Sequence, residues 1–337
     1  MCDTKTENVA QTIKQILALE KEGADLVRVA VPTKKAALAL KQIKRRTHVP
    51  IVADIHFDPN LALLSIENGA DKIRINPGNI NDKDLLTKIA KAAKRKKIPI
   101  RIGVNSGSLE TSLVDKHGGP TPKALVESAI TWVKFFEKIP FKNLTISIKS
   151  ADVEATIQAN ELLYQKLKRR KTPYPIHLGV TSAGPLLPGV TRNAIALGHL
   201  LRKGIGDTIR ISLTADPIQE IKAAKELLKA LGLYDKEPTL ISCPTCGRTE
   251  VDLKVLVGEL EKELAKVLPK IPAHKRNVKI AAMGCVVNGP GEAREADYAI
   301  CGGKKLGAIY KKGKHVKTVP EKELIKELLK LIKKDAK

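Results

Sequence analysis

Seven times between residues 25 and 213, a short run rich in β-branched residues ends in polar side chains. Each run then passes through a Pro, Gly or Asn loop into a stretch of helical period. The runs are "DLVRVAV" (25–31), "PIVADIHF" (50–57), "KIRINPG" (72–78), "IPIRIGV" (98–104), "LTISIKS" (144–150), "PIHLGV" (175–180) and "TIRISL" (208–213). Strands spaced by a helix's length of chain return to the same end of a sheet, which makes parallel βαβ units. A regular succession of this kind, without a Gly-rich dinucleotide fingerprint, predicts an α/β fold of the TIM (β/α)8 barrel type rather than a Rossmann sheet. Seven runs are one short of eight. The chain opens on a helical pattern, "TENVAQTIKQILALEKEG", so either a first strand would have preceded residue 1 or this barrel closes differently.

Near residue 236 the pattern changes. "KEPTLISCPTCGRTE" leads from a strand through a CxxC into the amphipathic helix "VDLKVLVGELEKELAKVL". The strand "VKIAAMG", a hairpin "LGAIYKKGKHVKTV" turning at Lys312-Gly313, and a closing helix follow. These predict two domains, a barrel over 1–236 and a smaller α/β domain over 237–337.

The chain carries 60 Lys+Arg against 36 Asp+Glu, a net charge of +24. Its lysines alternate with apolar residues at helical spacing, as in "IKELLKLIKKDAK", which places them on solvated helix faces. Aromatic residues make up only 3%, too few for a base-stacking platform, so nucleic acid is not an expected partner. The surplus suits an anionic substrate or an acidic protein. No apolar run reaches the roughly 20 residues of a membrane span. The polar start "MCDTKTENVAQ" lacks the apolar core of a signal peptide and reads as cytoplasmic.

Polar residues collect where the barrel runs end: Arg28, Asp54, His56, Arg74, Asn76, Arg101, Asn105, Lys149, His177, Arg210 and Ser212. Pairs two apart, such as Arg74 and Asn76, face the same side of a strand. A charge pointing into a barrel is costly unless it sits at the open mouth, beside water or an anion. Four arginines and a lysine against one aspartate cannot all pair with one another, so a cationic mouth for a polyanion, most simply a diphosphate, is expected.

Five cysteines without a signal peptide point to metal or thiol chemistry rather than to disulfides. Cys243 and Cys246 form the CxxC, and Cys285 follows a distant strand at a tight turn. Two ligands from one turn and a third from another is a usual way to hold a metal centre. Cys301 could complete it as a fourth thiolate, or Glu292 as an oxygen ligand. Spacing alone leaves zinc and an iron–sulfur cluster equally open. Cys2, in a fraying terminus, reads as a spectator.

"SCPTCGRTEVDL" followed by "MGCVVNGPGEAREAD" resembles the signature of the 4-hydroxy-3-methylbut-2-enyl diphosphate synthases, iron–sulfur enzymes of isoprenoid precursor biosynthesis. "VADIHFD", "IRINPGNI", "IPIRIGVNSGSLE" and "GIGDTIRISLTADP" are similar to that family's barrel segments. The resemblance spans nearly the whole chain. It implies a [4Fe–4S] cluster on Cys243, Cys246, Cys285 and Glu292, and reductive opening of 2-C-methyl-D-erythritol 2,4-cyclodiphosphate held by the barrel cations. It also implies a substrate contact from Asn288, reduced flavodoxin or ferredoxin as electron donor, and a homodimer. One departure bears on catalysis. "HLGVTSAG" places Ser182 where the family carries a glutamate that reaches the active site, and a serine cannot match a carboxylate's charge or proton transfer. Two other readings follow: a cluster-bearing protein that binds the diphosphate with impaired catalysis, and a zinc-stabilised barrel.

Overall fold

The computed structural model describes residues 1–337 except 81, 171, 172, 286, 288 and 337. The chain forms two compact units, Met1–Leu227 and Leu228–Lys337.

In the first unit strands and helices alternate without interruption: α1 (Val9–Glu22), β1 (Val27–Ala30), α2 (Lys34–Lys44), β2 (Ile51–Ile55), α3 (Asn60–Glu67), β3 (Lys72–Ile75), α4 (Lys83–Lys96), β4 (Ile100–Asn105), α5 (Thr111–His117), α6 (Pro122–Lys138), β5 (Leu144–Lys149), α7 (Val153–Lys168), β6 (His177–Leu178), α8 (Leu186–Arg202), β7 (Thr208–Ile209) and α9 (Pro217–Ala230). Helix starts follow local chemistry: Asn8, Thr33, Asp82, Thr121 and Asp152 each accept a backbone N–H of the first turn through their side chains.

β1 to β5 form one parallel sheet in chain order, and β6 pairs with β7 in parallel. A parallel bridge between Ile146 and Ile176 joins β5 to the start of the β6 segment. All seven predicted strands are therefore present in the expected order. One face of these strands supplies the core. Val27, Val29, Ile51, Ile55, Ile73, Ile75, Ile100 and Ile102 pack with Ile16, Leu40, Leu86 and Phe136 of the helices, all within 2% exposure. Burial of side chains this size stabilises by roughly 2–3 kcal/mol each. The other face carries the charged residues. In register, Asp54 lies opposite Arg74, Arg74 opposite Arg101, and Arg101 opposite Thr145.

Residues 1 and 2 lie against β1. The Cys2 N–H donates to the Arg28 carbonyl at 2.9 Å, and Met1 Sδ accepts from the Arg28 guanidinium. Cys2 is thus no frayed spectator but a buried member of the barrel core, 6% exposed.

The second unit is a five-stranded sheet in the order β12-β11-β10-β9-β8, with β8 (Thr239–Ser242), β9 (Lys279–Met283), β10 (Tyr298–Gly302), β11 (Leu306–Lys311) and β12 (Lys314–Pro320). β8, β9 and β10 run parallel, and the β10–β11–β12 pairings are antiparallel. α10 (Leu253–Val267) and α12 (Leu324–Ala336) carry the apolar side chains that complete its core. One-turn α11 (Gly289–Glu292) lies between β9 and β10. On α12, Leu324, Leu328, Leu329 and Ile332 are buried while Lys326, Lys330, Lys333 and Lys334 are exposed. These four lysines of the basic surplus therefore form a solvated helix face.

Candidate active site and metal centre

Arg28, Asp54, His56, Arg74, Arg101, Asn105, Lys149 and Arg210 line one cavity of about 100 Å³, together with Gly103, Ser147 and Thr181. Not all sit at strand C-terminal ends as expected, since Arg28 and Arg101 are the second residues of β1 and β4. Asp54 organises it. Its carboxylate accepts from Arg74 Nη1 at 3.1 Å, contacts His56 Nε2 at 3.2 Å and lies 3.6 Å from Arg28 Nη1. Burial alone raises a carboxyl pKa. The His56 contact and the Arg28 and Arg74 charges overcome it and hold Asp54 well below the usual carboxylate range.

Five cations against one carboxylate leave the cavity strongly positive. Burial pulls the Arg28 guanidinium down to about 10, with Asp54 opposing and Arg210 and Arg74 adding to the effect. Lys149 is pushed well below the ordinary lysine range, first by burial and then by Arg210 and Arg101. Among the described residues, the buried Nε atoms of Arg101 and Arg210 have no hydrogen-bond partner. Buried, underpaired cations are costly. An anion in the cavity would offer them acceptors.

Two glycines make the room. A Cβ on Gly103 would meet Arg74 Nε at 2.6 Å, and one on Gly179 would meet Lys149 Nζ at 2.8 Å. The long cationic side chains lie across strand positions that have no side chain of their own.

The sequence places three further residues at this mouth, and the structure gives each a different setting. Asn76 donates to Ser108 Oγ at 2.7 Å and accepts the Gly78 N–H at 3.2 Å, which fastens the loop after β3 to the 3-10 turn at Ser106–Ser108. His177 lies beside Lys149 without lining the cavity. Ser212 is buried, and its carbonyl accepts from Asn193. Ser182 is exposed, with a left-handed backbone at φ 52°, while its neighbour Thr181 reaches the cavity. Asn288 lies outside the described residues. Ser147 and Thr181 escaped the sequence reading, although Ser147 stands two residues before Lys149 on the same face of β5 and Thr181 directly precedes Ser182. Glu220 escaped it too: from α9 it approaches Arg210 to 3.6 Å.

In the second unit Cys243 follows β8 and Cys285 follows β9, adjacent parallel strands that end side by side. Cys243, Cys246, Cys285 and Glu292 line one cavity of about 370 Å³, with Arg248 and Met283. The Gly284 N–H donates to Cys243 Sγ at 3.3 Å, which fixes that thiol's direction. Among the described residues no three His, Cys, Asp or Glu side chains converge on a single ion. Three thiols and a carboxylate on one cavity are a donor set that fits an iron–sulfur cluster or zinc.

Cys301 sits on β10 opposite Met283, fully buried among Ala281, Ala293, Ala296 and Ala299. Burial first, then the neighbouring Cys285 and Cys243, push its thiol up to about 12.

Two family models cover almost the whole chain: the GcpE TIM-barrel domain over residues 1–225 and the GcpE protein C-terminal domain over residues 239–334. Three relatives are named 4-hydroxy-3-methylbut-2-en-1-yl diphosphate synthase (flavodoxin). The one from Caldanaerobacter subterraneus subsp. tengcongensis is 51% identical, over 100% of this chain and 92% of its own length. That from Clostridium perfringens is 51% identical over 98% and 92%. That from Fusobacterium nucleatum is 50% identical over 99% and 91%. Among solved structures, the dihydropteroate synthase of Yersinia pestis overlays with a TM-score of 0.41 at 14% identity, over 67% of this chain and 90% of that one. With both of its units matched end to end and half its residues shared with these synthases, the chain belongs to the GcpE family.

Proposed function

We propose that the chain is a 4-hydroxy-3-methylbut-2-enyl diphosphate synthase. It opens 2-C-methyl-D-erythritol 2,4-cyclodiphosphate reductively, consuming two electrons and a proton and releasing water and the allylic diphosphate. The observation that carries the reading is the pair of cavities: one lined by five cations, the other by three thiols and a carboxylate. The names and high identity of the relatives support it.

Arg28, Arg74, Arg101, Lys149 and Arg210 hold the diphosphate, with Asp54 fixing the directions of Arg28, Arg74 and His56. Asn76 and Ser212 act from the strand ends, Asn105 from the cavity wall, and Asn288 as a substrate contact. Cys243, Cys246, Cys285 and Glu292 hold a [4Fe–4S] cluster, in which the carboxylate is the weakest ligand and the easiest to displace. When bound, the cluster supplies the electrons one at a time. Cys301, embedded in β10, takes no part as a ligand. Reduced flavodoxin, an acidic donor suited to a basic surface, delivers the electrons. The division of labour runs along the chain, residues 1–236 holding substrate and 237–337 the cluster. The enzyme acts in the cytoplasm as a homodimer; among the described residues no helix is long and apolar enough to cross a membrane. Ser182 in place of a glutamate impairs catalysis.

The test is anaerobic purification and reconstitution, then iron and sulfide analysis with EPR. About four irons per chain, the content of one cubane, with a signal altered by the cyclodiphosphate, is the expected result. Stoichiometric zinc without sulfide would overturn it.

A further inference from the structure

His177 ends up in a setting that its sequence position does not suggest. It is 7% exposed on β6 and does not line the cavity, yet its Nε2 lies 3.4 Å from Lys149 Nζ, and Lys149 does line it. Its Nδ1 lies 2.8 Å from Thr208 Oγ1 on β7. A lysine ammonium has three donors and no acceptor, so a contact with imidazole works only if the facing ring nitrogen carries no proton. That puts the single ring proton on Nδ1, where Thr208 Oγ1 can accept it. A threonine, unlike a carboxylate, gives no charge that would draw a second proton onto the ring. Burial first, and then the positive charges of Arg101, Lys149, Arg28 and Lys72, push the His177 pKa well below the ordinary histidine value.

We propose that His177 is a positioning residue. As a neutral Nδ1–H imidazole braced by Thr208, it accepts a hydrogen bond from Lys149 Nζ and aims that ammonium into the cavity as a donor to the substrate's diphosphate. Lys149 needs such a partner because it projects across Gly179 among like charges. Arg210 and Arg101 are the strongest of these, and Arg28 and Arg74 follow. None of them can accept a hydrogen bond. Without an acceptor the flexible stem would turn the ammonium away from its neighbours and out of register with the ligand. The proposal rests on reading the cavity as a diphosphate site.

The probe is inorganic pyrophosphate, titrated calorimetrically into the full-length protein, which tests the cavity without needing a cluster or turnover. In His177→Gln the side-chain oxygen can take the place of Nε2, and affinity should stay within about threefold of wild type. In His177→Leu the acceptor is gone, and affinity should fall about tenfold or more, the worth of one hydrogen bond to a charged group. Undiminished binding by His177→Leu, with wild type binding normally, overturns the positioning role alone. A wild type that does not bind pyrophosphate overturns the anion-site reading and the positioning role with it. If His177→Leu does not fold, the imidazole nitrogen shifts of ¹⁵N-histidine-labelled wild type decide. A proton held on Nδ1 with Nε2 bare between pH 6 and 8 supports the assignment, and an Nε2–H tautomer or an imidazolium refutes it.

Discussion

Lys72 offers a quantitative check on the cost of placing cations inside this barrel. It opens β3, and its ammonium reaches Thr145 Oγ1 at 2.9 Å on β5. Burial first, then Arg101, bring its pKa from 10.5 down to about 8. At about 1.4 kcal/mol per tenfold change in proton affinity, that is on the order of 3 kcal/mol against the charged form. Because Lys72 is only partly buried, solvent screening cuts the figure to about 2 kcal/mol. Lys72→Met keeps the length of the stem and removes the charge, but leaves Thr145 without its donor, a loss of about 1 kcal/mol. The net expectation is a gain of about 1 kcal/mol at pH 7, or roughly 2–4 °C in the melting temperature of the barrel transition. The sign depends on pH. The folded-state pKa lies below the unfolded one, so the unfolded chain binds more protons between pH 8 and 10.5, and wild-type stability rises with pH across that window. The penalty is full below pH 8 and gone above about 10.5, so the variant's advantage should fade over the same range. Calorimetric melts of both proteins at several pH values measure this. A destabilised Lys72→Met at pH 7, or an advantage that persists at pH 11, would refute the reasoning.

Two further outcomes follow from geometry. Gly179→Ala puts a methyl group 2.8 Å from Lys149 Nζ and 2.7 Å from the Arg210 carbonyl, so pyrophosphate affinity measured by calorimetry should drop by about tenfold or more. Glu292→Ala should reduce reconstituted iron and abolish the response of the EPR signal to the cyclodiphosphate. Cys301→Ala, which removes a thiol packed inside the β10 sheet, should keep the iron content of wild type at a modest cost in stability.

The strands were legible because a parallel sheet buried on both sides leaves dense β-branched runs, and "IVADI" or "LTISIK" can hardly be anything else. β10 was not foreseen, since "YAICG" directly follows a charged loop and carries a single branched residue, Ile300, where the others carried several. The cationic mouth was legible as a set, because every member sits in or just after a strand. Their individual relations were not. Nothing in "PIHLGV" says that His177 will meet Lys149 rather than the cavity, because that depends on the stagger of β5 against β6. Cys2 was misjudged for the same kind of reason: its backbone bond to Arg28 exists only once β1 is in place. Glu220 sits within an ordinary helical pattern, and only the fold turns it towards Arg210.

The inward cations and the glycines beside them form one device. A barrel interior is normally filled by branched apolar side chains in layers, and five long cationic chains could not share that volume with them. Gly103 and Gly179 empty two interior positions, and Arg74 and Lys149 lie across the space they leave. Asp54 supplies enough negative charge to orient Arg28 and Arg74 but too little to neutralise the set. His177 and Thr208, neutral groups in this arrangement, orient Lys149 without cancelling its charge. Had carboxylates done this work throughout, the cavity would be internally paired and indifferent to a diphosphate. The sparing use of acid leaves the folded state short of its electrostatic optimum, and on the proposed diphosphate reading it ties anion affinity and barrel stability to the same side chains. A variant that relieves the repulsion by removing a lining cation should therefore gain stability in the empty protein and lose it again, relative to wild type, when pyrophosphate is added.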